Sequence, residues 1–140
     1  SYGASSGGAN DGAKKTNYDK GAYIIKKAKK YEEKGKIKKA TIQYEKALKY
    51  LIKSNKEKPN QPNTLNYLGF ASRKLGNFEV AEKYYLEGLK IKPNHKGINE
   101  YLGELYIKTN RVELAKQRLE VLKGCACEEY SELKELIDNN

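Results

Sequence analysis

The chain has 140 residues, enough for one domain with a sizeable core, and no apolar run approaches the length of a membrane-spanning helix. Its formal charge of +10 is confined to one end: residues 1–58 carry 16 Lys against 6 acidic residues, and residues 59–140 balance 12 basic against 12 acidic side chains. With 25 Lys to 3 Arg, the bidentate fork that reads phosphates and base edges is largely missing, so a solvated Lys-rich face is the expected reading, ahead of a nucleic-acid or anionic-surface site.

Hydrophobic residues make up 38% of the chain and Tyr (12) outnumbers Phe (2), as suits aromatic packing with a wet edge. There is no Met, even at the start, which is Ser1-Tyr2-Gly3; signal-peptide removal or trimming is expected. Together with two closely spaced cysteines this leads us to expect an exported protein, periplasmic or extracellular, with the cytoplasm as the alternative.

Residues 1–17 are rich in Gly, Ser, Ala and Asn and read as a leader with little apolar surface to pack on its own domain. A neighbouring subunit is the expected holder, with Tyr2 and Tyr18 as aromatic anchors. No Asn-x-Ser/Thr sequon occurs in the chain; O-linked sugar on Ser5, Ser6 or Thr16 stays open.

From about Asn17 to Lys34, Tyr23, Ile24, Ala28 and Tyr31 fall at helical spacing, and Gly35 breaks the pattern. A second helix is expected from Ile37 to about Lys53, with Ala40, Tyr44, Ala47, Leu48 and Leu51 on one side. Asn55, Pro59, Asn60, Pro62 and Asn63 then predict an extended turn over Ser54–Pro62. Next comes Leu65-x2-Leu68-Gly69, Gly76-Asn77 at a turn, Ala81-x3-Tyr85 and Pro93. Gly69 and Ala81 allow two helices to touch, Gly76 tolerates a left-handed backbone, and Asn77 is expected to cap the following helix. The pattern recurs as Asn99-x2-Leu102-Gly103-x2-Tyr106, Asn110 at the turn, and Ala115-x3-Leu119, ending at Gly124. Ala81 to Ala115 and Gly69 to Gly103 are 34 residues, but Ala40 to Ala81 is 41, so the first junction carries about seven extra residues. From Glu128 to Ile137, Tyr130, Leu133 and Ile137 form one apolar stripe opposite a row of glutamates, as in a terminal capping helix.

These residues resemble the tetratricopeptide repeat (TPR) family, with repeats at about 21–53, 62–93 and 96–123 and a cap helix at about 128–138, in a domain over 18–138. In the first unit Lys27 stands where the family pattern has a leucine. The run Cys125-Ala126-Cys127-Glu128-Glu129-Tyr130 also resembles small exported bacterial TPR proteins. The resemblance implies an all-α fold, a right-handed α-solenoid of three hairpins plus a capping helix, and protein–protein interaction without catalysis or cofactor. It further implies a groove lined by Ile25, Lys29 and Glu32 in the first unit, Asn66, Phe70 and Arg73 in the second, and Glu100, Glu104 and Lys108 in the third. Family members that grip a terminal carboxylate use basic residues and asparagines there; Ile25, Glu100 and Glu104 depart from that and favour a mixed, amphipathic partner.

Cys125 and Cys127 lie within reach of a disulfide closing a small ring; free thiols, metal binding or inter-chain bonding are the alternatives. His95 has no acid or nucleophile partner by motif and reads as a solvated turn residue. Adjacent acids such as Glu32-Glu33 and Glu128-Glu129 point about 100° apart on a helix, and Gly7-Gly8 lacks the strand and helix of a phosphate loop, so no enzyme is expected. The expected function is a non-enzymatic interaction scaffold that self-assembles end to end into a filament, its leader strapped onto the next subunit. A monomeric peptide-binding adaptor is the alternative, and a nucleic-acid or anionic-surface binder is the least expected.

Overall fold

Apolar stripes at helical spacing can be buried only helix against helix, and the computed structural model, which describes residues 14–140, does this with helices alone among the described residues. In chain order these are α1 (Asn17–Glu33), α2 (Ile37–Glu57), α3 (Pro62–Lys74), α4 (Phe78–Ile91), α5 (Lys96–Lys108), α6 (Val112–Leu122) and α7 (Glu128–Asp138). They form three hairpins, α1 with α2, α3 with α4 and α5 with α6, and α7 packs on α5 and α6. The leading helices touch in sequence, α1 to α3 and α3 to α5, whereas α2, α4 and α6 make no contact with one another. One row of helices is crowded and the other splayed, so the stack is a curved solenoid with α1, α3 and α5 on its concave side. Tyr2, Ser5 and Ser6 lie outside the described residues.

The hairpin turns share one backbone solution. Gly35, Gly76 and Asn110 occupy it with φ of 75°, 88° and 61°, the left-handed region where Gly has no penalty and Asn is tolerated. α1 begins with a reciprocal cap: the Asp19 backbone N–H donates to Thr16 Oγ1 at 3.0 Å and the Thr16 N–H donates to Asp19 Oδ2 at 3.2 Å. Asn77 does not cap α4 through its side chain. Its ψ of 73° is not the extended conformation from which a capping side chain reaches the first turn.

The extra residues at the first junction are not the expected extended turn. α2 is 21 residues long against 14 for α4, so the insertion is two more helical turns followed by a short turn at Asn60, φ 64°. Asn55, expected to end the helix, lies inside it, because an Asn costs a helix well under 1 kcal/mol and tertiary contacts outweigh that. Leu51 and Ser54 are buried on this segment, and Asn17 Nδ2 donates to the Glu57 carboxylate at 3.0 Å.

Close approach explains the small residues. A Cβ on Gly69 would collide with the Tyr85 ring across the α3–α4 hairpin, as the spacing predicts. In the third unit the cap helix takes that role: a Cβ on Gly103 would stand 2.6 Å from Leu133 Cδ2. At the position where Leu68 and Leu102 are buried, the first unit has the exposed Lys27, because no hairpin precedes it.

Candidate functional site

The concave face is built from one register of α1, α3 and α5, since residues 41 and 34 apart fall at equivalent places: Ile25, Asn66 and Glu100, then Lys29, Phe70 and Glu104. Ile25 is 1% exposed and belongs to the core with Ala28 and Tyr44, so it is not available to a partner as the groove assignment required. Phe70 is 3% exposed and forms the floor. Its ring lies 4.6 Å from the Tyr101 ring and 5.9 Å from that of Tyr44.

Three cations cover this floor. Lys29 Nζ and Lys74 Nζ each stand 5.4 Å from the Phe70 centroid, and the Arg73 guanidinium 5.6 Å. Lys29 also donates to the Tyr101 hydroxyl at 3.3 Å. Glu32 accepts from the Tyr44 hydroxyl and, at 3.0 Å, from Lys74 Nζ. Burial pushes the Glu32 carboxyl up, but the Tyr44 hydrogen bond and then Lys74 outweigh it and hold it below the usual carboxylate range. Burial, then the bond to Glu32, pushes the Tyr44 hydroxyl well up, so it remains a donor.

Toward α5 and α7 the sign of the face reverses. Glu104 receives Arg73 Nη2 at 3.5 Å, and Glu100, 5% exposed, faces Glu104 and Glu132 with its carboxyl pushed up to about 10, first by burial and then by those acids. Asn66 is buried with no partner for Oδ1. Lys108 is exposed and joins none of the hydrogen bonds or ion pairs among the described residues; the repeat register places Ile107, half-buried in the second core, opposite Arg73. Tyr18, expected as a leader anchor, sits in the first turn of α1 with its ring 5.9 Å from Tyr67, where burial and then Tyr67 push its hydroxyl up to about 12.

Sequence reasoning missed Tyr101, Lys74 and Glu132. Tyr101 had a usable signal, since Tyr67 and Tyr101 recur 34 residues apart; Glu132 had none, because the cap lies outside the repeat. His95 is also not the solvated turn residue expected. It is the N-cap of α5: Nδ1 accepts from the Ile98 N–H at 3.0 Å, which leaves the proton on Nε2 to donate to Asn63 Oδ1 at 2.7 Å. Burial, then Lys92, lowers its affinity for a second proton. Beside it the buried Asn99 donates to the carbonyls of Pro93 and His95 and accepts from Arg118. Cys125 and Cys127 are disulfide-bonded with Cα atoms 5.2 Å apart, and among the described residues no group of His, Cys, Asp or Glu is arranged to hold a metal ion. No helix among them is long and apolar enough to cross a membrane.

A family model described as "Tetratricopeptide repeat" matches residues 62–95, the middle hairpin, and the flanking hairpins repeat its geometry. The middle hairpin is therefore a tetratricopeptide repeat, in a chain of tetratricopeptide-repeat fold. TPR structures resemble it over most of its length. MamA from RS-1, in an ArsTM double mutant, is 24% identical with a TM-score of 0.60, over 86% of this chain and 65% of that one, so the match spans just under two thirds of that chain. The first TPR of Spaghetti (RPAP3), bound to the HSP90 peptide SRMEEVD, is 22% identical with a TM-score of 0.54, over 86% and 94%. The Yersinia enterocolitica type III secretion translocator chaperone SycD is 18% identical with a TM-score of 0.60, over 86% and 88%. At these identities the likeness is one of fold. No curated protein matches the chain significantly in sequence.

Proposed function

We propose that this TPR chain is a non-catalytic protein-interaction module that takes an amphipathic partner segment along α1, α3 and α5. The observation that carries it is the bipolar concave face: the half-buried Tyr101 ring resting on the buried Phe70, with Lys29 and Lys74 on one side and Glu104 and Glu132 on the other. A partner with apolar residues flanked by an acidic and a basic end matches that order. The fold neighbour carrying an HSP90 peptide supports a peptide partner, while the acids here argue against a bare carboxylate terminus. Export belongs to the same proposal, since disulfides persist in oxidising compartments.

The test is selection of binding peptides from a displayed library on the immobilised chain. Lys29→Glu is expected to weaken the selected peptides at least tenfold, and Lys46→Glu, on the exposed face of α2, to leave them unchanged. Equal losses in both variants would sink the concave-face reading.

End-to-end self-assembly is a second reading, favoured by the opposite charge of the two ends. α7 carries Glu128, Glu129, Glu132, Glu135 and Asp138 against Lys134, while Lys26, Lys27, Lys30 and Lys34 are exposed on the first hairpin. In this reading the leader straps onto the next subunit. Light scattering and negative stain of the full chain and of a chain lacking residues 1–13, which keeps the Thr16 cap, decide it: assemblies lost on deletion support the strap, and a monomer in both cases removes it.

A further inference from the structure

The disulfide in the link between α6 and α7 is poorly placed to serve as a staple. Cys125 and Cys127 are two apart in sequence, and a loop this short removes little freedom from the unfolded chain. The cap helix has its own seat, since Leu133 is fully buried over Gly103 and α7 packs on both α5 and α6. What accompanies the bond is a local cost. Ala126, the residue it encloses, is held at φ 51°, in the left-handed region where a Cβ is penalised. Ala126 is exposed, so burial does not compensate for that conformation.

A second, independent sign lies at the start of α7. Cys127 is the N-cap of this helix, with φ −118° and ψ 160°, the extended backbone from which a capping side chain reaches the first turn. Bonded to Cys125, its sulfur caps nothing. Once freed, the Cys127 thiolate is placed to accept from the Glu129 or Tyr130 N–H at the positive end of the helix dipole. Glu128 and Glu129 in the first turn oppose that charge, so the cap hydrogen bond is what reduction gains. Release of Ala126 and completion of the cap both belong to the reduced state, and each makes the disulfide a better electron acceptor. Both cysteines are only half-buried, between the exposed Gly124 and Glu128, which leaves the sulfurs open to an incoming thiol.

We propose that Cys125–Cys127 is a thiol-exchange site that oxidises accessible thiols, and not a structural staple. An incoming thiolate attacks Cys125 Sγ, the S–S bond breaks, and its electron pair leaves on Cys127 Sγ, the sulfur that the helix end stabilises. A second thiolate attacks the substrate sulfur of this mixed disulfide, a new substrate disulfide forms, and Cys125 leaves as a thiolate. The two protons shed by the substrate thiols are taken up by the two cysteines. In sum, two thiols become one disulfide and the protein disulfide becomes two thiols. In an oxidising compartment the bond stays formed until such a thiol meets it. The site does not depend on the concave-face reading.

The test equilibrates the full chain in glutathione buffers of graded ratio, quenches with acid, and counts free thiols by mass after alkylation. Ala126→Gly is expected to move the equilibrium toward the disulfide by about tenfold, through relief of one left-handed Ala. Cys127 left alone in Cys125→Ser should react with iodoacetamide near neutral pH several-fold faster than Cys125 left alone in Cys127→Ser. Circular dichroism of the reduced chain should match that of the oxidised chain. A peptide with a reduced cysteine pair that reacts faster than glutathione assigns the substrate to a polypeptide, and the reverse order to a small thiol. A bond that survives millimolar reduced glutathione, an unchanged equilibrium in Ala126→Gly, or loss of helix on reduction would overturn the proposal. Any of these leaves the concave-face reading standing, because Lys29→Glu tests that separately.

Discussion

The first and third hairpins share an apolar frame and end the solenoid in different ways. At the open side of α1 the chain changes one residue: Lys27 occupies the place of the buried Leu68 and Leu102, and Tyr23, 63% exposed, stands one turn before it. Beyond the third hairpin it adds an element, α7, which seats Leu133 over Gly103. The difference teaches that a repeat stack can be closed by withholding apolar surface or by covering it. Covering brings new groups together: Glu132 of the cap, with Glu104, adds to the acidic surroundings of Glu100, and Glu129 lines the neighbouring cavity.

The largest expected effect breaks the covered end. Leu133→Ala removes a fully buried leucine and should cost about 2–5 kcal/mol in urea unfolding. A loss below about 1 kcal/mol would mean that α7 does not close the core.

A smaller effect separates the two ends by pH. Glu100 is raised in the fold, so its contribution to stability is full below the ordinary carboxylate value of 4.5 and is lost as pH rises toward about 10. His95 is lowered, so its contribution is full above 6.5 and is lost as pH falls through its depressed value. Glu32, in the first hairpin, is lowered from 4.5 and loses its contribution only in stronger acid. Denaturation curves between pH 5 and 9 should therefore show Glu100→Gln removing an alkaline decline while an acid-side loss, from His95, persists. An alkaline decline of the same size in Glu100→Gln would place its origin elsewhere.

The smallest expected effect is at the open end. Lys27→Leu restores the repeat pattern on an exposed surface and should change stability by no more than about 0.5 kcal/mol, while raising the apparent mass in light scattering by exposing a new apolar patch. An unchanged mass would show that Lys27 is not what keeps this end from sticking.

Much of the fold was legible because repeat periodicity is local. The Gly69–Tyr85 contact, the turns at Gly35, Gly76 and Asn110, and the capping stripe through Leu133 all follow from spacing, since a helix sets which residues share a face. Asn55 shows the limit. Read alone it ends a helix, and only packing against the rest of the chain shows that α2 continues to Glu57.

The site was less legible for the same reason. The family resemblance placed Lys29, Phe70, Arg73 and Glu104 on one face, but it placed Ile25 there too, which is core, because burial depends on what packs against the face. His95 and Asn99 each add to their local bonds one to a partner 32 or 19 residues away, Asn63 and Arg118, which no periodicity encodes.

By itself, then, the sequence determined that three hairpins stack and that their ends are polar, since helical period, turn residues and charge are carried by near neighbours along the chain. Only the tertiary structure decided which polar groups meet: Glu100 with Glu132, Asn66 at the wall of a cavity, Lys29 over Phe70 and Tyr101. Those meetings set burial and local field, and burial and local field decide what a side chain can bind.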